Sequence, residues 1–362
     1  MRVLFATDHI HFPQGGGGLE RNTHELCLRL KRRGVAPAVM CSLQFDGSLM
    51  AYRNRLIRKF CPGRRFPADS ELGYRVYRGW EGEDGAAEVV RRFRPDAVVI
   101  QSAKALPILR SFATQNVPCF VYYHEILRLD DANEIAAVPG VRLITNSSFA
   151  AERIAQATGQ KAAVVRPLID PAFYAGKPDP QYVLFINTVP RKGVEVAFRL
   201  AEARPDIPFT FVTSWILKPE DQERLEARAQ KAGNITLHPP TNRMQPLFLR
   251  ARVLLAPSQC EEAWGRVATE AQINGTPVIA SSLGGLGEAV GPGGILVAHD
   301  ASIEDWARAL STLWDNRDNY DRYSQLALSH SRRSEIQPEA ILDALLKELG
   351  HAQARLTSPV LA

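Results

Sequence analysis

The sequence predicts an α/β protein with two domains, each built on a doubly wound parallel sheet. The chain has 362 residues, more than one hydrophobic core usually supports, which favours two domains. Short apolar runs alternate with amphipathic segments along its length, as they do in parallel α/β units. A composition of 45% hydrophobic and 23% charged residues is typical of globular proteins and excludes a disordered chain.

The first half contains five short and nearly continuous apolar runs, the pattern of strands buried on both faces. These predicted strands are Val3–Ala6, Val35–Cys41, Ala97–Gln101, Val117–Tyr123 and Val141–Thr145. A helix is predicted between the first two, at residues 19–33. Apolar residues recur there on one face, and Gly34 follows as a stop signal.

A second alternating series begins near residue 182. Its predicted strands are Tyr182–Ile186, Phe209–Val212, Ile235–Leu237, Val253–Ala256, Val278–Ala280 and Gly294–Val297. Residues 166–180 contain four prolines and no clear period, which predicts a linker. We therefore expect domains at 1–170 and 171–362, with a helical tail whose last helix is a candidate to pack back on the first domain.

Net charge, cysteine usage and the length of the apolar runs indicate where in the cell the protein is expected to act. The net charge is +5, and residues 1–170 carry 24 basic against 17 acidic side chains. Five scattered cysteines without a CxxC pair predict reduced thiols in a cytoplasmic protein. The first apolar run is too short for a secretory signal, and no run approaches the ~20 residues of a membrane span. A peripheral position at the inner face of the membrane stays open.

Residues 51–65 form a basic segment with no acidic side chain. Apolar residues are interleaved with the cations, so part of the segment is predicted to form a basic amphipathic helix. Three interpretations stay open: contact with anionic lipid, binding of an anionic or lipid-diphosphate acceptor, and a solvated helix face. Nucleic-acid binding is disfavoured because no recognition motif accompanies the cations. The cationic residues are Arg53, Arg55, Arg58, Lys59, Arg64 and Arg65.

Four glycines, Gly15 to Gly18, stand directly before the first predicted helix. Glycine backbone approaches a ligand closely, and the amides of a helix N-terminus favour an anion. A dinucleotide fingerprint is disfavoured because these glycines lie too far from the first strand. A flexible surface loop is the alternative.

Two carboxylates flank the start of a helix in the second half. Glu262 lies in the loop after the strand at 253–256, and seven residues separate it from Glu270. Carboxylates accept hydrogen bonds from the hydroxyls of a polyol, while helix N-terminal amides hold a phosphate. A nucleotide-sugar offers both kinds of group, hydroxyls for the carboxylates and phosphates for the amides. Taken alone, such carboxylates are more often caps or solvated charges.

The segment resembles the E-x7-E signature of family 4 retaining glycosyltransferases of the GT-B fold. Other elements of that family's pattern occur in order over roughly residues 1–300: Gly17-Gly18, Tyr123-His124-Glu125, Asn146-Ser147-Ser148, Arg191-Lys192-Gly193, Pro257-Ser258, Asn274-Gly275-Thr276-Pro277 and Ser282 to Glu288. The resemblance implies two Rossmann-like domains facing across a cleft. It places the acceptor on the first domain and the nucleotide-sugar donor on the second.

The resemblance also implies roles for single residues. Glu270 would bind the ribose hydroxyls, Glu262 the hydroxyls of the donor sugar, and Lys192 the diphosphate. His124 would lie near the reacting side of the sugar, which gives His124, Glu262 and Lys192 as the catalytic set. The remaining predicted donor contacts are Gly17, Gly18, Arg191, Trp264, Gly265, Arg266 and Val267. For Trp264 two roles stay open, stacking on the ligand and anchoring the loop.

One position departs from the family's pattern. The family usually has an arginine five residues before the lysine of its KG element, and this chain has Asn187 there. Arg191, next to Lys192, is the candidate replacement for that cation.

The implied reaction is transfer of a hexosyl group, with retention, from a nucleotide-diphosphate sugar to a hydroxyl acceptor. Cations aimed at the leaving diphosphate stabilise it by preorganised electrostatics, and no DxD motif marks a metal site, so no metal or other cofactor is expected. The acceptor is expected to be lipid-linked or anionic, in synthesis of cell-envelope polysaccharide, glycolipid or glycoconjugate. Two alternatives stay open: a nucleotide-sugar 2-epimerase of the same fold and a non-catalytic sugar-nucleotide-binding protein.

Overall fold

The computed structural model describes residues 1–357 except 62, 81–84, 103, 128 and 214–216, and residues 351–357 by backbone alone. The chain forms two compact units. The first runs from Met1 to Leu168 and includes the chain's last helix, and the second is Ile169–Gln337. Each unit is an α/β layer structure on a parallel sheet, which confirms the predicted fold class.

The first unit contains eight strands: β1 (Arg2–Ile10), β2 (Ala36–Ser42), β3 (Ala68–Asp69), β4 (Arg75–Gly79), β5 (Ala97–Ile100), β6 (Cys119–Tyr123), β7 (Arg142–Thr145) and β8 (Ala163–Val164). Their order in the sheet is β3-β4-β2-β1-β5-β6-β7-β8, and every neighbouring pair is parallel except β3 with β4. The five predicted strands are all present. Three strands were not predicted: β4, and the two-residue strands β3 and β8.

Helices cover this sheet: α1 (Gly18–Arg32), α2 (Leu49–Phe60), α3 (Ala86–Phe93), α4 (Ala105–Ala113), α5 (Ala132–Ala136), α6 (Ser148–Thr158) and, from the end of the chain, α14 (Pro338–Thr357). Ile341, Leu342 and Leu345 of α14 are fully buried in the core cluster that contains β1 and α1 residues. Arg33 of the loop after α1 donates to Asp343 at 2.7 Å. The second unit therefore ends at Gln337 instead of taking in all of 171–362.

The second unit contains β9 (Tyr182–Ile186), β10 (Phe209–Val212), β11 (Ile235–His238), β12 (Ala251–Ala256), β13 (Val278–Ser281) and β14 (Gly294–Val297). Its helices are α7 (Val194–Ala203), α8 (Pro219–Ala232), α9 (Gln245–Leu249), α10 (Arg266–Gln272), α11 (Leu286–Val290), α12 (Ile303–Trp314) and α13 (Arg317–Ser331). The strand order is β11-β10-β9-β12-β13-β14, and all pairs are parallel.

This topology locates the candidate sites. In the second unit the chain runs outward from β9 and then returns to lie beside it as β12, so the strand order reverses between these two strands. In the first unit the same reversal falls between β1 and β5. Ligands of open α/β sheets bind at the carboxyl ends of the strands at such switch points. The candidate ligand sites are therefore the loops after β9 and β12 in the second unit and those after β1 and β5 in the first.

Candidate functional site

The loops that follow β9 and β12 are in direct contact. The backbone N–H of Gln259 donates to the carbonyl of Arg191 at 2.9 Å. Gly193 has φ +80°, and a Cβ placed on it would lie 1.9 Å from the carbonyl oxygen of Pro257. Only glycine combines this backbone conformation with so close an approach. Gly193 therefore allows the Lys192 loop to lie against the loop that carries Glu262.

Lys192 and Glu262 are joined by this approach. The Nζ of Lys192 donates to Oε1 of Glu262, and the Oγ of Ser258 donates to the same oxygen at 2.8 Å. The two charged side chains keep 26% and 16% of their surface exposed. A cation and a carboxylate that are paired but still reachable can exchange their mutual contact for contacts with a ligand.

The backbone of Glu262 is held by the glycine loop after β13. Gly284 has φ +65°, and a Cβ on it would lie 2.5 Å from the backbone N of Glu262. The next residue, Gly285, donates its N–H to the carbonyl of Glu262 at 2.6 Å. Three loops thus converge on Glu262, and the glycine loop positions its backbone.

Glu270 lies on α10 with its side chain 9% exposed. Its Oε1 accepts hydrogen bonds from the hydroxyl of Tyr174 at 3.1 Å and from Nε of Arg266 at 3.2 Å. The carbonyl of Tyr174 in turn accepts from the Asn274 amide at 2.9 Å. The charge of Arg266 is therefore directed at Glu270. Tyr174 was not predicted as a site residue, because this tyrosine lies in the segment interpreted as a linker.

Of the two roles predicted for Trp264, the structure supports one. The side chain is 2% exposed and belongs to the core cluster of the second unit. Its Nε1 donates to Oγ1 of Thr269 at 3.1 Å. A ring that is buried and already hydrogen-bonded has no face to offer a ligand. Stacking on the donor is corrected accordingly, and Trp264 anchors the loop that precedes α10.

Asn187 follows β9 with φ +77° and is 7% exposed. Asparagine is among the few residues that adopt this left-handed conformation with little strain. Asn187 thus suits the backbone conformation that the structure has at this position. Arg191 lies four residues on, in the same loop as Lys192, and its carbonyl contacts Gln259.

His124 of the first unit follows β6, next to the switch point. Its Nε2 lies 2.6 Å from Oε1 of Gln101, and Nδ2 of Asn146 lies 3.4 Å from its Nδ1. These contacts are satisfied together by a neutral imidazole that donates from Nε2 and accepts at Nδ1. The ring also packs against Tyr122, with 4.0 Å between the ring centroids. The structure therefore holds His124 in one defined orientation.

The glycine loop of the first unit leads into α1, where Gly17 precedes the first helical residue, Gly18. The N–H of Gly17 donates to Oε2 of Glu20 at 2.8 Å, and Glu20 is only 7% exposed. The carboxylate of Glu20 thus takes the Gly17 N–H, a group that the sequence predicts to face an anion. The predicted donor contacts of Gly17 and Gly18 stay predictions. This contact is the Glu20 half of a capping box, and the other half is missing because Gly17 has no side chain to accept from the N–H of Glu20.

His9 adds a titratable group beside that carboxylate. Its Nδ1 lies 3.3 Å from Oε1 of Glu20, and its Nε2 lies 3.7 Å from Oδ1 of Asp8. The hydrogen bond with Glu20 raises the pKa of His9 above its ordinary 6.5, against the opposing effect of burial. The carboxylates of Asp8 and Glu125 raise it further. The ends of β1 and β6 and the start of α1 therefore place three carboxylates around His9.

Family models match the two halves of the chain separately. The model described as Glycosyltransferase Family 4 matches residues 16–173, and the one described as Glycosyl transferases group 1 matches residues 170–329. The chain belongs to the family 4 glycosyltransferases. The predicted resemblance is thereby confirmed at the level of the family.

Curated relatives of this family 4 glycosyltransferase share part of its length. The D-inositol 3-phosphate glycosyltransferase of Streptomyces griseus subsp. griseus is 40% identical over 124 residues, 33% of this chain and 26% of the relative. That of Streptomyces scabiei is 34% identical over 221 residues, 56% of this chain and 45% of the relative. The chain thus spans less than half the length of these two relatives.

Solved structures of similar fold extend over nearly the whole chain. Anabaena HepE, solved in complex with UDP and glucose, superposes with a TM-score of 0.78 at 18% identity, covering 97% of this chain and 100% of that one. A glycosyltransferase from Rickettsia africae superposes with a TM-score of 0.75 at 14% identity, covering 97% and 98%. These similarities show the GT-B fold.

The described residues contain neither a metal-binding cluster nor a membrane-spanning helix. Among those residues, no group of three or more His, Cys, Asp or Glu side chains is placed to hold a metal ion. None of the helices in the described ranges has both the length and the apolar character required to cross a membrane.

Proposed function

We propose that this family 4 glycosyltransferase moves a sugar from a nucleotide-diphosphate sugar to a hydroxyl acceptor, with retention at the anomeric carbon and without a metal cofactor. The observation that carries the proposal is the pairing of Lys192 with Glu262 at the switch point of the second unit. It brings a reachable cation and a reachable carboxylate to one place from the ends of two neighbouring strands.

The second unit holds the donor in this proposal. On binding, Lys192 turns from Glu262 to the diphosphate, and the released carboxylate of Glu262 accepts hydrogen bonds from sugar hydroxyls. Glu270, backed by Arg266 and Tyr174, accepts from the ribose hydroxyls. Helix α10 has only seven residues, so the side-chain cations carry most of the phosphate binding.

The bond between the anomeric carbon and the diphosphate oxygen breaks as negative charge develops on that oxygen. Lys192 stabilises this charge, and Arg191 is the second cation proposed for the same task. A preorganised cation at a developing oxyanion typically contributes about 10²–10³ in rate. Attack by the acceptor from the side of the leaving group gives retention, with a diphosphate oxygen taking the acceptor's proton. No protein nucleophile is then required.

The first unit receives the acceptor. His124 is oriented there by Gln101 and Asn146, and the Asp8, Glu20 and Glu125 carboxylates lie around His9. The carboxylate oxygens can accept hydrogen bonds from an acceptor substrate that is rich in hydroxyl groups. We place the reaction in the synthesis of cell-envelope polysaccharide, glycolipid or glycoconjugate. D-inositol 3-phosphate belongs in the acceptor panel because the curated relatives carry that name.

The test begins with thermal shifts across UDP-, GDP- and ADP-sugars, because a bound donor stabilises the fold by mass action. The stabilising donor is then incubated with the acceptor panel, with and without EDTA. We expect an acceptor-dependent product whose anomeric configuration, read by NMR, equals that of the donor. Release of a free epimer without acceptor would identify an epimerase. Tight donor binding without turnover on any acceptor would identify a binding protein.

A further inference from the structure

Helix α2 presents large apolar side chains to the outside of the first unit. Four of them are strongly exposed: Leu49 at 89%, Tyr52 at 51%, Leu56 at 55% and Phe60 at 71%. At 3.6 residues per turn they fall within a sector about 80° wide. Met50, Ala51 and Asn54 are buried on the other side of the helix. The helix is thus anchored by one face, while the outer face carries an apolar stripe.

The stripe, defined as Leu49, Tyr52, Leu56 and Phe60, continues onto the preceding loop. Phe45 is 43% exposed, and its ring lies 5.0 Å from that of Tyr52. Soluble proteins normally expose large hydrophobic residues singly, whereas contiguous patches mark an interaction surface. Four such side chains on one face of α2, with Phe45 of the preceding loop beside them, form a patch that needs a partner to bury it.

Cations border the stripe on both sides. By helical position, Arg53 lies on one side of it and Lys59 on the other, with Arg55 beyond Lys59. All three are exposed, and within the described ranges none of them forms an ion pair with a carboxylate. The nearest acidic residue in sequence, Asp46, is engaged by Gln14 and by the backbone N–H of Ser48, both at 3.0 Å. Within the described ranges no ion pair therefore neutralises these three cations, although Arg53 lines a shallow cavity with Asp69 and Glu71.

We propose that the outer face of α2 docks on an anionic membrane surface. The stripe enters the boundary between headgroups and acyl chains, and Arg53, Arg55 and Lys59 meet the lipid phosphates. A soluble polyanion would use the cations but would leave the four apolar side chains in water. A merely solvated face would not carry them at all. The surface belongs to the first unit and shares no residue with the site of the second, so this docking does not depend on the proposed transferase activity.

The experiment is co-sedimentation of the full chain with vesicles of phosphatidylcholine alone, and of phosphatidylcholine and phosphatidylglycerol in equal parts. We expect binding to the anionic vesicles only, weakened by added salt. Arg53→Gln/Arg55→Gln/Lys59→Gln should weaken it about a hundredfold, the loss expected for three cations near the surface. Leu56→Glu/Phe60→Glu should abolish it. Leu296→Glu and Arg224→Gln, at exposed positions of the second unit, are the matched controls and should bind like the wild type.

Two results would overturn the proposal. One is failure of the wild type to bind anionic vesicles, or equal binding to neutral ones. The other is loss of vesicle binding in the charge variant alone. In that case Leu56→Glu/Phe60→Glu would bind like the wild type, and dextran sulfate would displace both of these proteins equally. That result would indicate a site for a soluble polyanion. Circular dichroism melting checks each fold, and Leu49→Gln, at the most exposed position, replaces any variant that unfolds.

Discussion

Oε1 of Glu262 accepts from both Lys192 Nζ and Ser258 Oγ, although the lysine comes from the loop after β9 and the serine from the loop after β12. The carboxylate therefore links the loop after β9 to the loop after β12. Because both charged groups remain partly exposed, this contact can be given up when a ligand competes for the cation. Loss of the Lys192–Glu262 contact should therefore lower the rate of transfer much more than it lowers the stability of the fold.

Replacing Lys192 by Met should reduce kcat/KM by about 10²–10³, because the cation beside the leaving diphosphate is lost. The free energy of unfolding should fall by only about 1 kcal/mol or less, as expected for a partly exposed ion pair. Urea unfolding and initial rates measure the two quantities. Lys231→Met, at an exposed position near the end of α8, is the control. A variant whose activity loss merely tracks its instability would contradict the assignment.

Gly193→Ala should destabilise the protein more than Gly233→Ala. Both residues have nearly the same positive φ, +80° and +77°, so the conformational strain of about 1–2 kcal/mol is shared. Only at Gly193 does the added Cβ meet another backbone, the carbonyl oxygen of Pro257. Forced separation of the loops should add about 1–3 kcal/mol and lower activity. Equal effects in urea unfolding would show that the loops do not depend on this approach.

Most of the sheet was predictable because strands buried on both faces appear as apolar runs. The strand β4 was missed because Arg75 and Arg78 interrupt its apolar pattern. Arg78 is fully buried, where it donates to Asp69 at 2.8 Å and to the carbonyl of Phe12. A charge that is buried with its partner cannot be told from a surface charge by hydropathy, since the partner lies on another element.

The candidate site was predictable where its residues lie in one motif, as Glu262 and Glu270 do. Contacts made across the fold were not: Tyr174 reaches Glu270 from 96 residues away, and no local pattern announces it. The buried state of Trp264 was equally hidden, because its loop sequence is compatible with either role. In the first unit, His9 and Glu20 were missed since their pairing depends on where the glycine loop turns.

Trp264→Phe should change stability and leave donor affinity unchanged. The substitution removes the hydrogen bond to Thr269 and part of the core volume, for a loss of about 1–3 kcal/mol in the free energy of unfolding. The ring is too buried to touch a ligand. Urea unfolding and isothermal titration with the donor separate the effects. A tenfold loss of affinity at unchanged stability would restore the stacking role.

His9 should make the protein's stability depend on pH in a defined direction. Its folded-state pKa is raised, chiefly by the hydrogen bond with Glu20 and further by Asp8 and Glu125, against burial. The stabilisation is therefore complete below the unfolded pKa of about 6.5 and is lost as pH rises through the higher folded value.

The difference in unfolding free energy between the wild type and His9→Gln should accordingly be larger at about pH 6 than at about pH 9. His11 and His24, whose pKa values burial lowers to about 3 and about 4, act in the opposite sense. They destabilise the fold as pH falls below about 6.5, but they are present in both proteins and cancel in the difference. Glu20→Gln should lower the His9 pKa, as read by NMR titration of the ring. A difference that stays constant with pH would mean that His9 has the same pKa in the folded and unfolded states.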